Sequence, residues 1–302
     1  MRHAGEIAAL ITAMFWTITA LSFEAASKRV GSMVVNLLRL IVGFAFLSLF
    51  AWIYRGYMFP IDATGRTWLI LIISGLIGFT FGDLCLFQSF VVVGARISML
   101  LMALAPPMTA MISWFILGEK MTPMGWIGMT VTITGIALVV LKREDKPVRP
   151  NGRRKFRFNY PVWGILLGLG GALGQATGLV LSKLGMKDYD PFASAQIRIM
   201  AGISGFIVLF FILGLWKNTY QALSNHRAMA QLSLGAFFGP FLGVSFSLLA
   251  VQLTNTGIAA TIMAIVPVLI IPPSIILFKE KVTIKEVAGA ILAVGGVALF
   301  FL

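Results

Sequence analysis

The chain has 302 residues, 59% hydrophobic and 12% charged, with a formal net charge of +13. The charged share is about half that of a soluble domain, so polar groups are too few to cover the apolar surface and the solvent is a bilayer. Nucleic-acid binding is set aside, because the cations stand at the ends of apolar runs, where anionic headgroups and the positive-inside rule place them. The single cysteine, Cys85, leaves no internal disulfide, and with only His3 and His226 neither a metal cluster nor a cofactor is expected.

The first apolar run, Ile7–Phe23, is longer than a signal-peptide core. Lys28-Arg29 follows it instead of a small-residue cleavage site, which predicts a retained helix. A spanning helix needs about 20 apolar residues. Ten stretches qualify: 5–26, 33–54, 67–91, 95–117, 123–141, 160–185, 191–215, 230–253, 257–278 and 283–302. Residues 1–141 form one five-helix unit and 160–302 a second, divided by a basic linker loop, 142–159. Thr122-Pro123 and the capping box Thr283-x-x-Glu286 open the last helix of each unit.

The two units repeat each other. Glu119 and Glu280 stand 161 residues apart, and the same interval pairs Lys120 with Lys281, Ala103 with Ala264, Pro106 with Pro267, Gly78 with Gly239, Gly82 with Gly243, Gly128 with Gly289 and Gly135 with Gly296. Ser27-Lys28 answers Ser182-Lys183, and Arg39 answers Arg198, at slightly shorter intervals that loop lengths explain. Five helices is an odd number, so the second unit enters from the opposite face. The expected fold is an all-α membrane protein of ten transmembrane helices in a 5+5 inverted repeat. Threading puts six Lys and Arg on the side of the termini and sixteen on the other. The richer side is cytoplasmic by the positive-inside rule, with both termini outside.

Glu24, Arg39, Asp83 and Arg198 are charged inside apolar runs. Such charges cost several kcal/mol and mark function by default. Glu24, Arg39 and Asp83 fall in the same membrane half, as a buried ion pair or a coupling site that takes up a proton. Glu24 is also near enough to the headgroups to snorkel. The second-half positions matching Asp83 and Glu24 are Val244 and Leu179, so Arg198 has no equivalent acid. It reaches Asp188 or Asp190 in the preceding loop, or binds an anionic group of a solute. Trp16, Gln88, Gln175, Gln196 and Gln252 either line a cavity or tie helices. Gly168, Gly170, Gly171, Gly174 and Gly178 make a small-residue face for close packing. Pro106 and Pro267 kink their helices at equivalent places, as a gate or as a packing bend.

The duplicated apolar-Pro-apolar run, Gly118-Glu119-Lys120, Lys279-Glu280-Lys281, the closing glycine spacings and the paired Arg39 and Arg198 resemble the EamA family of the drug/metabolite transporter superfamily. Lys279 departs from that pattern, which commonly has glycine before the glutamate. The resemblance implies a carrier with a central cavity, commonly exporting amino acids or other metabolites and often assumed to be proton-coupled. The functional expectation is therefore a secondary transporter of the cytoplasmic (inner or plasma) membrane, moving an amino acid or similar solute by alternating access, as a monomer or homodimer among membrane lipids. A lipid or lipid-carrier flippase, a membrane enzyme and a non-transporting scaffold are the alternatives. The enzyme lacks a nucleophile–base pair, and no phosphate-binding Gly-x4-Gly-Lys-Ser/Thr loop is present.

Overall fold

The computed structural model describes residues 3–117, 123–143, 156–158, 160–253, 259, 262–279 and 282–300. Gly118-Glu119-Lys120, Glu280, Lys281 and most of the basic linker lie outside the described residues.

The apolar runs fold as helices, since a bilayer offers backbone N–H and C=O groups no partner but each other. α1 (Ala4–Val30) and α2 (Ser32–Arg55) are parted by Gly31 alone, at φ 86°. α3 (Gly65–Gly75), capped by the Thr64 hydroxyl, passes through a π-helical stretch, Leu76–Gly82, into α4 (Asp83–Met102). The stretch Gly65–Met102 has 38 residues, against the ~20 of one span. It turns at Gly94, whose φ of 84° and ψ of 159° suit a residue without Cβ. Beyond the turn, the Ser98 hydroxyl meets that of Ser89 at 2.7 Å; a straight helix would part them by about 13 Å. α5 (Ala105–Leu117) and α6 (Pro123–Val140) follow.

β1 (Leu141–Arg143) and β2 (Phe156–Phe158) pair antiparallel, so the two ends of the basic linker meet in a short ladder that an all-α expectation does not contain. The second half continues with α7 (Val162–Met186) and α8 (Pro191–Leu213), the latter capped by Asp190, which accepts from Ala193 N–H. A short surface helix, α9 (Trp216–Leu223), occupies what reads as a loop between apolar runs. α10 (His226–Ala236) then passes through a second π-helical stretch, Phe237–Gly243, into α11 (Val244–Leu253). α12 (Val266–Leu269), α13 (Ile271–Phe278) and α14 (Ile284–Phe300) close the chain. The capping box forms: Thr283 N–H donates to Glu286 Oε2 at 2.7 Å and Glu286 N–H to Thr283 Oγ1 at 3.3 Å.

Among the described residues, six helical stretches have the length and apolarity to cross a membrane: Ala4–Val30, Ser32–Arg55, Gly65–Met102, Val162–Met186, Pro191–Leu213 and His226–Leu253. Trp126–Leu138 and Val266–Leu277 are shorter apolar helices. The π stretches stand 161 residues apart, the interval of the sequence repeat. α4 packs on α7, and α10 and α11 pack on α1. α6 and α14 cross so closely that a Cβ on Gly135 would stand 2.7 Å from the Gly289 carbonyl, and one on Gly296 2.7 Å from that of Gly128. Those four glycines are two repeat-related pairs, so the contact is the same when its two helices are exchanged.

Polar side chains gather at two ends of the bundle. In one group, Arg55 pairs with Asp62, Tyr189 donates its hydroxyl to Asp62 at 2.8 Å, and Gln252 donates to the Tyr189 carbonyl at 3.1 Å. In the other, Arg96 lies 3.0 Å from Glu286, which also accepts from the Tyr160 hydroxyl at 2.6 Å. The Tyr189 hydroxyl is pushed up to about 12, by burial first and by the neighbouring Asp62 carboxylate. Burial works against ionised Asp62, but its bond from Tyr189 and the Arg55 charge prevail and hold it below the usual carboxylate range.

Candidate functional site

A cavity lies between the halves. Its wall is drawn from equivalent positions of both units. Met102, Ala103 and Pro106 face it from the first half, and Met263, Ala264 and Pro267 from the second. Both helices break just before their prolines, at Ala103–Leu104 and Ala264–Ile265. The reason is chemical: proline has no N–H to give and its ring crowds the preceding turn. Both π stretches also reach the cavity, through Phe79 and through its repeat partner Pro240.

The polar part of the wall is Arg39, Asp83, Gln175 and Arg198, with Trp16, Thr19, Thr109 and Ser247 around them. Arg39 and Asp83 form a buried ion pair, their side chains 5% and 4% exposed. Arg39 Nε donates to Asn36 Oδ1 at 3.1 Å, and Asn36 Nδ2 donates to the Asp83 carbonyl at 3.2 Å. Gln175 Nε2 donates to the other Asp83 oxygen at 2.7 Å. Both carboxylate oxygens are thus occupied, and the buried charge is matched as a membrane interior requires. The Arg39 guanidinium also lies 4.5 Å from the Phe87 ring centre.

Arg198 is 4% exposed and differs in kind. Among the described residues it makes no ion pair, and its Nε has no hydrogen-bond partner. The Phe79 ring lies 4.9 Å from it, on a residue that also stands 5.8 Å from the Arg39 guanidinium. Both cations therefore lie near one aromatic ring. A Cβ on Gly78 would stand 3.1 Å from Arg198 Nη2, so the π stretch lets this head group lie against bare backbone.

Of the residues singled out by sequence, the cavity brings together Trp16, Gln175, Arg198, Arg39, Asp83, Pro106 and Pro267. Gln88 accepts from the Ser32 hydroxyl at 2.5 Å, and Gln196 donates to Ser48 at 3.0 Å and to the Met58 carbonyl at 2.6 Å. Neither lines the cavity; each joins two segments of the bundle. Glu24 is buried but pairs with Lys28 at 2.5 Å, one helical turn on, away from Arg39 and Asp83. Asp190 spends its carboxylate on the α8 cap and is no partner for Arg198. Asn36 and Phe79 are the residues that sequence reasoning missed. The Gly78–Gly82 pair beside Phe79, duplicated at Gly239–Gly243, was the available signal.

A central cavity with a buried ionic floor, walled by two repeated units, is the architecture of a membrane carrier. The chain belongs to the EamA-like transporter family, whose model matches residues 3–141 and again 162–302. Similar proteins include Uncharacterized transporter YdfC of Bacillus subtilis (strain 168), 23% identical over 267 residues, which are 88% of this chain and 80% of that one. Solute carrier family 35 member G1 of Homo sapiens is 25% identical over 231 residues, 75% of this chain; the match spans 60% of the human protein's length. A crystal structure of a protein with 17% sequence identity superposes with a TM-score of 0.66, covering 99% of this chain and 96% of the other, and shares the fold.

Proposed function

We propose that the protein is a secondary carrier that moves a small organic metabolite across the membrane by alternating access, with export as its direction. The observation that carries this reading is the cavity itself, built from repeat-related residues that belong to breakable helices: Ala103 and Pro106 on one side, Ala264 and Pro267 on the other. Rocking of one five-helix unit against the other, with bending at the two breaks, would expose the site to each face in turn.

The ten-span inverted arrangement is part of the proposal. It puts the segments holding Asp62, Tyr189 and the end of α11 on one face, and those holding Arg96, Tyr160 and Glu286 on the other. The side-chain contacts within each of these two groups support that threading. Proton coupling, where it operates, would use Asp83, the one carboxylate among the described residues of the cavity wall.

The test is solute movement in proteoliposomes loaded with a metabolite mixture, with and without a pH gradient. Movement that depends on the protein is expected. Its absence for every metabolite sinks the carrier reading. Asp83→Asn is expected to insert normally and to lose any pH dependence; unchanged pH dependence removes Asp83 from the mechanism.

A further inference from the structure

The cavity has a charge imbalance that the ion pair does not settle. Asp83 is neutralised by Arg39 and has its second oxygen held by Gln175. Arg198 faces the same cavity, buried, with no salt bridge among the described residues and with Nε unsatisfied; the anion it feels, Asp83, is already paired with Arg39. A guanidinium does not lose its charge at any accessible pH, so the surplus stays positive. A buried cation left alone is unfavourable, and a guanidinium presents a planar fork that matches a carboxylate.

We propose that Arg198 is the anion-recognition residue of the cavity, and that the solute is a monocarboxylate with an apolar or aromatic body and no ammonium group. This rests on the carrier reading and narrows its solute. Among the described residues of the wall, one cation without a salt bridge matches one negative charge; a dianion such as a phosphate monoester would need Arg39, which is paired with Asp83. The wall beyond Arg198 is Phe23, Phe79, Phe87, Phe90, Met99 and Trp16, which suits an apolar body. An amino acid would also bring an ammonium into the cavity. The Asp83 charge is already matched by Arg39, so a zwitterion, with no net charge of its own, would leave the surplus positive charge in place. The site therefore favours the acid over the amino acid of the same side chain.

The experiment measures binding to the purified full chain in detergent by calorimetry, with 3-phenylpropionate, octanoate and indole-3-acetate as acids. L-phenylalanine, 2-phenylethylamine and phenyl phosphate are the matched zwitterion, cation and dianion. At least one acid is expected to bind, and more tightly than all three comparators. Arg198→Gln is expected to weaken that acid about tenfold or more, the usual consequence of losing a charged hydrogen bond. Arg198→Lys, which keeps the charge and guards against a folding defect, is expected to weaken it less. No acid binding, equal affinity for phenylalanine, or Arg198→Gln affinity equal to wild type would each overturn the proposal. Protein-dependent movement of other metabolites in proteoliposomes, together with no acid binding, overturns the anion assignment alone. No movement of any solute is the separate failure of the carrier reading.

Discussion

Arg39 and Asp83 hold each other's charge inside the bundle, and the cost of breaking the pair is asymmetric. Arg39→Met leaves the buried Asp83 carboxylate without its salt-bridge partner and is expected to cost about 3–5 kcal/mol. Arg39→Met with Asp83→Leu removes both charges and is expected to regain most of that. Denaturation of both variants in detergent checks this; a double variant no more stable than the single one would show that pairing is not what Arg39 supplies. Outside the membrane, Asp62 is held below its ordinary carboxylate range by Tyr189 and Arg55. A lowered pKa gives stability that is present above the unfolded value, 3.8, and is lost as pH falls through the lower folded one. Acid is therefore expected to loosen the contact between residues 56–64 and Tyr189, read as faster thiol labelling of Met58→Cys, and Asp62→Asn should remove that pH dependence. At this scale the sequence showed Arg39, Asp83 and Arg198, because charge stands out in an apolar run. It did not show Asn36 or Phe79, which are ordinary helix residues until the fold sets them beside a guanidinium. Equal depth in the membrane suggested grouping Glu24 with Arg39; a lysine four residues on, on the same helix face, takes Glu24 instead.

The elements that matter most are the interrupted ones. Pro106 and Pro267 each follow a two-residue break, and substituting alanine permits a continuous helix there. Pro106→Ala with Pro267→Ala is expected to lower transport turnover severalfold while leaving acid binding within about threefold, since backbone continuity alters bending more than wall chemistry. Loss of both in parallel would instead assign the prolines to the shape of the site. The close crossing of α6 and α14 gives a second test: Gly135→Leu, whose Cβ alone would meet the Gly289 carbonyl at 2.7 Å, is expected to destabilise by about 1–3 kcal/mol. Helix positions were legible because long apolar runs end at Gly, Pro and basic residues, and Gly94 splits a 38-residue helical stretch where two shorter runs are expected. The π stretches were not legible, because a widened turn has no composition of its own. α9 was missed because its apolar and polar residues alternate around a short helix that no span requires.

The whole molecule is a repeat that meets itself across a cavity, and the repeat was its most legible property. An interval of 161 residues recurs in sequence, in the π stretches, in the proline breaks and in the α6–α14 contact. The proposed ten-span threading would put sixteen Lys and Arg on one face and six on the other, and the proposed orientation, with both termini outside, rests on that difference. A periplasmic reporter fused after Leu302 is expected to be active; an active cytoplasmic reporter at that point reverses the orientation. The carrier proposed here passes its solute through the cavity between the halves. Val244, the repeat partner of Asp83, lines that cavity, and Val244→Trp adds bulk to its wall while keeping both members of the ion pair. Its effect on solute movement in proteoliposomes is the most direct measurement. Protein-dependent movement is expected in the wild type, and its loss in a Val244→Trp variant that still inserts and melts as a folded protein. Undiminished movement in that folded variant would contradict passage through the cavity.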